Sequence, residues 1–246
     1  MRIPRVYLDA PLRAGETLAL PKPQAHHLIN VLRLKNGAPL RLFNGQNDAE
    51  YLATLNIASR RHASITVTES ETIQRETPLR IELVQAIATN DKIDLILQKS
   101  VELGVAAITL IHSQRSVRAS PEKIRKRLTH WRQVIISATE QCGRTRLARL
   151  ETAQSVDEKL TAPNQPAARY LLAPAAGTSL ATAAPKDQRI QIWVGPEGGF
   201  SPEEIRKAEN HGVQPVRFGP RTLRTETAGM AAITALQALH GDLVKL

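Results

Sequence analysis

The alternation of apolar and polar residues changes period near residue 72. Upstream, Tyr51 to Ile57 and Ala63 to Val67 repeat every second position, as half-buried antiparallel strands do. Arg2 to Leu8 and Leu40 to Phe43 read as further strands, the second closing on the turn signal Asn44-Gly45. Between them, Gln24 to Leu34 fits a short helix with Leu28, Val31 and Leu32 on one face. The polar stretch from Glu69 to Pro78 reads as a linker.

Downstream, strands alternate with helices. Strands are predicted at Arg80 to Ile87, Ala106 to Ile111, within Arg144 to Glu151, near Tyr170 to Pro174, at Ile190 to Val194 and at Pro215 to Phe218. Helices are predicted from Asp91 to Leu103, where Ile93, Ile96, Leu97, Ser100 and Val101 share a face and Gly104 is the stop, from Pro121 to Gln141, and from Thr225 to Leu243. Ala153 to Gln188, rich in Ala, Thr and Pro, reads as mostly connecting segments. The pattern therefore predicts a small β-rich domain over 1–72 and an α/β domain over 73–246 with a mostly parallel sheet covered on both faces.

Two of the later strands run straight into unusual turns. Ile190–Val194 enters Gly195-Pro-Glu197-Gly-Gly199-Phe200, and Pro215–Phe218 enters Gly219-Pro-Arg-Thr-Leu223-Arg224-Thr225-Glu226. Gly195, Gly198 and Gly199 let a ligand approach the main chain closely. Ser201 with Glu204 three residues on, and Pro202 between them, form a capping-box helix start. A strand, a glycine turn and a helix N-terminus make a ligand site at the carboxyl edge of an α/β sheet. One such turn is a common connection; two in succession, the second carrying Arg-Thr-Glu-Thr, indicate a site.

Composition narrows the partners. The 246 residues carry a net charge of +10; 42% of them are hydrophobic and only 3% of all residues are aromatic, so the core is aliphatic. Arg115 to Arg149 holds ten Lys and Arg against two Glu, a net of +8 in one segment. A localised basic field of that kind is the footprint of a polyanion, and Arg115, Arg118, Arg125, Lys126, Arg127, Arg132 and Arg144 are its candidate RNA contacts. Cys142 is the single cysteine, which excludes an intrachain disulfide and fits a reducing, cytoplasmic compartment. No apolar run has the length of a membrane span. His26 and His27 are adjacent and point to different helix faces, so they cannot share a metal, and no Cys/His set has zinc spacing.

No phosphate-loop or dinucleotide fingerprint explains the glycine turns. Val194-Gly-Pro-Glu-Gly-Gly-Phe-Ser201 and Phe218-Gly-Pro-Arg-Thr-Leu-Arg-Thr-Glu-Thr-Ala228 instead resemble the last two motifs of the SPOUT methyltransferases, in particular the family of bacterial 16S ribosomal RNA (uracil-N3) methyltransferases. Lys92 to Val105 and Trp131 to Arg144 look like that family's central motifs, and His26 to Arg33 like its N-terminal RNA-binding module. The resemblance covers nearly the whole chain. It implies a PUA-like β-barrel N-terminal domain, a SPOUT α/β domain with a trefoil knot, a homodimer, and S-adenosylmethionine as cofactor. By position the cofactor loops correspond to Leu172, Ala173 and Pro174; to Val194, Gly195, Pro196, Glu197, Gly198 and Gly199; and to Phe218, Gly219, Leu223, Arg224 and Thr225. His27 and Arg33 join the basic segment as implied contacts to 16S rRNA, within an assembled 30S subunit.

Such an enzyme must remove the proton of uracil N3, which sits on the base-pairing edge, so the nucleotide has to be unpaired or splayed out. It needs a general base or a cation that favours the uracil anion. Arg224 is the candidate cation, while Glu197 and Glu226 are candidates for base or cofactor contact; for Glu226 a first-turn carboxylate favoured by the helix dipole is an equal alternative. A SPOUT enzyme acting on another position, or a non-catalytic rRNA-binding assembly factor, are the competing readings, and titration with S-adenosylmethionine separates the last.

Overall fold

A computed structural model describes residues 3–117, 120–166, 168–182 and 188–244. The chain divides into two compact units, one of residues 1–76 with 139–147, the other of residues 77–138 with 148–246.

The first unit holds β1 (Arg5–Tyr7), β2 (Thr17–Ala19), β3 (Pro39–Phe43), β4 (Ala49–Ser59) and β5 (His62–Thr72) in the order β1-β3-β4-β5-β2. β1 pairs with β3 in parallel and the other neighbours are antiparallel. Their inward residues, among them Leu40, Leu42, Leu55, Ile65 and Val67, form an aliphatic core with Leu28. The segment 139–147 is tied into this unit by polar contacts. Arg5 donates from Nε to Glu50 (2.7 Å) and from its two terminal nitrogens to the carbonyls of Thr139, Glu140 and Arg144 at 2.8–2.9 Å. A cation on the last carbonyls of a helix satisfies acceptors that have no intrahelical donor.

Three expectations change here. The predicted Gln24–Leu34 helix is α1 (Lys22–His26) followed by a π-helical turn over His27–Val31. The wider turn rotates the following residues, so Leu28 is buried while Val31 and Leu32 are 58% and 42% exposed instead of sharing its face. The linker is shorter than its polarity suggested, since β5 runs on to Thr72, paired with Ala49. In the stretch expected to be mostly connections, α4 (Val156–Thr161) forms behind a capping box of Ser155 and Glu158. That is the same local signal that starts the helix after Ser201.

The second unit is a six-stranded sheet, β11-β9-β10-β6-β7-β8, with every pairing parallel. Its strands are β6 (Arg80–Ala86), β7 (Ala107–His112), β8 (Arg149–Ser155), β9 (Ala168–Leu172), β10 (Arg189–Val194) and β11 (Gln214–Val216). Its helices are α2 (Asn90–Glu102), α3 (Pro121–Cys142, whose last turn clusters with the first unit), α4, α5 (Pro202–Asn210) and α6 (Thr225–His240). The predicted buried face of α2 is the observed one, Ile93, Ile96, Leu97, Ser100 and Val101. Alternate residues of each strand face opposite sides. Val84 and Trp193 pack with Val156 and Leu160 of α4 and Ala208 of α5. On the other side Leu83 and Val194 approach Gly229 of α6, where an added Cβ would lie 3.6 Å from each.

The α4 side also buries a polar network. Lys159, 5% exposed, donates to Glu82 (2.5 Å) and Glu151 (3.2 Å). Thr109 bonds the same two carboxylates, and Gln191 donates to Glu82 (2.8 Å) while accepting from the Trp193 indole (2.6 Å). Burial acts to raise the Glu82 carboxyl, but the Lys159, Thr109 and Gln191 donors outweigh it and hold it below the usual carboxylate range. Among the described residues no helix is long and apolar enough to cross a membrane.

Candidate functional site

Chain order places the site. From β6 the sheet grows to one side through β7 and β8, then to the other through β10, β9 and β11, so the order reverses between β6 and β10. Ligands in such sheets bind beyond the carboxyl ends of the strands at the reversal. A cavity of about 540 Å³ opens beside it, at the carboxyl ends of β9, β10 and β11. It is lined by Leu171 to Pro174 after β9, Val194 to Phe200 after β10, and Phe218, Gly219 and Arg221 to Thr225 after β11, with Ile205, Ala228 and Lys92 completing the wall.

Every residue expected in the cofactor loops is in that wall. Gly195 suits this shape: a Cβ there would meet the Gly199 Cα and the Phe200 nitrogen at 3.0 Å, so a side chain would require the backbone folded over it to give way. Gly199 and Gly219 have φ of 66° and 71°, the left-handed region that glycine enters without strain. The loop ends in the predicted capping box, with Ser201 Oγ accepting from the Glu204 amide and Glu204 accepting from Ser201 N. Glu204 also accepts from the amide of Gln114, fixing α5 against the turn after β7.

Thr225 joins two of the loops. Its buried hydroxyl donates to the Gly195 carbonyl (2.6 Å) and accepts from Gln85 Nε2 (2.9 Å), which links the start of α6 to the first glycine turn and to β6. Arg224 precedes it at the helix N-cap, exposed, with no side-chain capping bond and no ion pair among the described residues. Glu197 is exposed on the glycine turn and Glu226 lies in the first turn of α6 behind the cavity wall. Between these two carboxylates stands Lys92, in the first turn of α2, with Nζ 2.7 Å from Glu197 and 3.8 Å from Glu226. Its hydrogen bond to Glu197 raises the Lys92 ammonium above its ordinary value, and the same bond lowers Glu197. Lys92 comes from a helix more than a hundred residues before the turn it meets, and nothing in its local sequence announces that.

The basic residues divide. Arg115 donates to the Gly198 carbonyl (2.7 Å), so it braces the glycine turn. Arg118 lies outside the described residues. Lys126 and Arg127 line a surface cleft with Lys123, His130, Asn90 and Asp94, whereas exposed Arg125 and Arg132 are not in its wall. Arg144 is not available to RNA: it is 6% exposed and grips Glu76 at 2.6 Å inside the first unit. Arg146 and Arg149 pair with Asp48 and Glu151. Charge counting overstated this segment because its counter-ions come from elsewhere in the chain. In the first unit His27 is exposed and near enough to Glu140 to influence it, and Arg33 is exposed with φ of 53°. A denser cationic cluster was missed. Lys22, His26 and Asn30, at helical spacing, face Arg60, Arg61 and His62 of the β4–β5 turn around a cleft with no acidic residue in its wall.

Known proteins share this architecture and these motifs. Residues 75–237 match the family model of an RNA methyltransferase domain, and residues 20–68 that of an RNA methyltransferase PUA domain. The chain is 34% identical to the ribosomal RNA small subunit methyltransferase E of Buchnera aphidicola subsp. Schizaphis graminum, over 98% of each protein. Among solved structures, a ribosomal RNA small subunit methyltransferase E from Neisseria gonorrhoeae bound to S-adenosyl methionine superposes with a TM-score of 0.91 at 35% identity, covering 99% of this chain and 100% of that one. A methyltransferase from Legionella pneumophila in complex with the cofactor SAM gives 0.94 at 35% identity, with the same coverage.

Proposed function

We propose, since the chain belongs to the ribosomal RNA small subunit methyltransferase E family of RNA methyltransferases, that it transfers a methyl group from S-adenosylmethionine to N3 of a uridine in 16S rRNA. The observation that carries this reading is the cavity beside the sheet reversal, walled by three loops that contribute mostly main chain and apolar side chains, with Arg224 and Lys92 also in its wall. The wall suits that cofactor. Leu171, Val194, Ile205 and Leu223 offer apolar surface to an adenine ring, and the glycine turn at Gly195 leaves backbone groups open to its polar edges. When bound, the cofactor supplies an electrophilic methyl on a sulfonium sulfur. The chain's part is to orient the base in line with it, since positioning supplies much of the rate of a displacement, and to stabilise the charge left when N3 loses its proton.

The reading carries a closed PUA-like barrel in the first unit, a trefoil knot in the second and a homodimer acting on the assembled 30S subunit. The return of the chain from β10 across β9 to β11, and then to α6 against β6 and β10, supports the knot. A second, apolar cleft lined by Leu180, Ala231, Ala235 and Leu239 supports a subunit contact along α6.

Incubation with S-adenosylmethionine and 30S subunits from cells lacking the enzyme should yield 3-methyluridine on nucleoside mass analysis, with heat of cofactor binding by calorimetry. RNA binding without either signal would leave an assembly factor instead. Gly195→Ala should raise the cofactor dissociation constant by about tenfold or more, because 1.4 kcal/mol of crowding in a loop with no slack is enough for a factor of ten; unchanged calorimetric affinity would remove the turn from the binding site. Joint replacement of Lys22, Arg60 and Arg61 by Gln should lower the slope of log affinity against log salt by about 2 for a single-stranded rRNA fragment, as expected for three lost phosphate contacts. An unchanged slope would take the first unit's cationic cleft out of RNA binding.

A further inference from the structure

Lys92 and Glu197 form an ion pair in the wall of the cofactor cavity, and three properties separate that pair from a surface salt bridge. First, it stands where the base must enter: both residues line the cavity together with Arg224. Second, it is easily opened. The side chains are 24% and 40% exposed, and ion pairs this accessible to solvent are held weakly. Third, Lys92 has somewhere else to go. Glu226 Oε2 is buried without a hydrogen-bond donor and is 3.8 Å from the Lys92 ammonium, too far for a hydrogen bond and near enough that a small shift makes one. A buried acceptor left without a donor costs free energy, and the cost is relieved when a donor arrives.

The edge of uracil fits an opened pair of this polarity. N3–H is a donor and each neighbouring carbonyl an acceptor, so the base can insert with N3–H toward the carboxylate and one carbonyl oxygen toward the ammonium. Cytosine presents the reverse, an acceptor at N3 beside an amino donor, and would set like against like.

On the reading that the substrate is a uridine, we infer that the Lys92–Glu197 pair is the base-reading and proton-transfer element of the site, with Glu226 as the positioning residue that receives Lys92 when the pair opens. Glu197 takes the N3 proton and becomes a carboxylic acid. The electron pair left on N3, shared with the carbonyl oxygens, is stabilised by Lys92 and forms the new bond to the methyl carbon. The methyl–sulfur bond breaks with its electrons retained on sulfur, which leaves as a neutral thioether, and the proton passes from Glu197 to water. Opening also activates the base: it is Lys92 that holds Glu197 below its ordinary range, so separation lets Glu197 rise when a substrate is present. Lys92 itself stays an ammonium, since Glu197 raises it in one position and Glu226 in the other.

The test uses full-length protein, 30S subunits from cells lacking the enzyme, and three variants. Glu197→Gln should lower kcat by about 10²–10⁴-fold, the usual range for a lost general base, and should remove the break at which the kcat/KM profile levels off, leaving a rate that rises with hydroxide throughout. Lys92→Met should cost about 10²–10³-fold in kcat, and Lys92→Arg should recover part of it. Glu226→Gln should cost less than either, through kcat. Cofactor affinity by calorimetry should stay within a few-fold in all three. A levelling-off break that persists unshifted in Glu197→Gln overturns the assignment. So does a loss of cofactor affinity that accounts for the lost rate, which would mean that the pair holds the cofactor, or a fall in thermal stability with little change in kcat, which would mean that it holds the fold. Absence of methylation by the wild-type protein is a failure of the uridine reading, seen before any variant is made.

Discussion

Arg224→Ala is expected to lower kcat for methyl transfer to 30S subunits by about 10²–10³-fold, the range found when one preorganised donor to a developing anion is removed. The position makes the result interpretable. Arg224 is the N-cap of α6 but its side chain makes no capping bond, so truncation removes nothing that starts the helix. It forms no ion pair among the described residues, so no carboxylate is stranded by its loss. The hydroxyl that does join α6 to the Gly195 turn belongs to Thr225 and is untouched. Melting temperature and cofactor affinity should therefore hold while single-turnover transfer from labelled S-adenosylmethionine falls. Arg224→Lys should restore charge without the planar fork and recover only part of the rate. Wild-type single-turnover rates in the alanine variant would leave Arg224 with no role in the chemistry.

Lys159→Met is expected to lower the free energy of unfolding by up to about 3–5 kcal/mol, the range for a fully buried pair, because removing the buried lysine strands two half-buried carboxylates. Glu82 then keeps Thr109 and Gln191 but loses its cation. The pH dependence carries the sign. Wild-type Glu82 titrates below its ordinary value when folded, so its contribution is present above the unfolded pKa and is lost as pH falls through the folded one. In the variant, burial acts on Glu82 without Lys159 to oppose it, so Glu82's share of the acid destabilisation should shrink, and the deficit relative to wild type should be greatest at neutral pH and narrow as pH falls. Urea unfolding at pH 7 and across the acid range reads both effects. Joint replacement of Glu82 and Lys159 by Leu and Met should recover much of the loss, as buried ion pairs replaced by apolar residues often do. A single variant as stable as wild type at neutral pH would show that the network contributes nothing.

The cavity walls were legible because each loop lies next to its own strand, and a glycine turn after an apolar run is a local signal. Gly195 and Thr225 could be assigned for that reason, whereas Leu172 entered only through the family resemblance. Lys92 could not, because its partner Glu197 is brought to it only by the parallel pairing of β6 with β10. Arg144 failed in the opposite sense. It sits in a basic run and looks like surface, yet Glu76 buries it, and a run of like charge says nothing about counter-ions supplied from a distance. Lys22 opens α1 and Arg60 and Arg61 sit in the β4–β5 turn, two short stretches well separated in sequence, so their convergence appears only once β4 and β5 fold back toward α1. The π-helical turn at His27 had no signal, since periodicity assumes a constant number of residues per turn.

The first unit is interrupted in sequence, and this has a consequence for how the protein is made. Synthesis delivers residues from the N-terminus onward. Arg5, Glu50 and Glu76 leave the ribosome early, but the carbonyls of Thr139, Glu140 and Arg144 that Arg5 holds, and the guanidinium that Glu76 holds, arrive only after β6, β7, α2 and most of α3 have been made. The unit that begins first on the ribosome cannot be completed until much of the other has emerged, so a nascent chain stopped at Glu76 carries a β-sheet in which Arg5 has Glu50 but still lacks its three carbonyl acceptors.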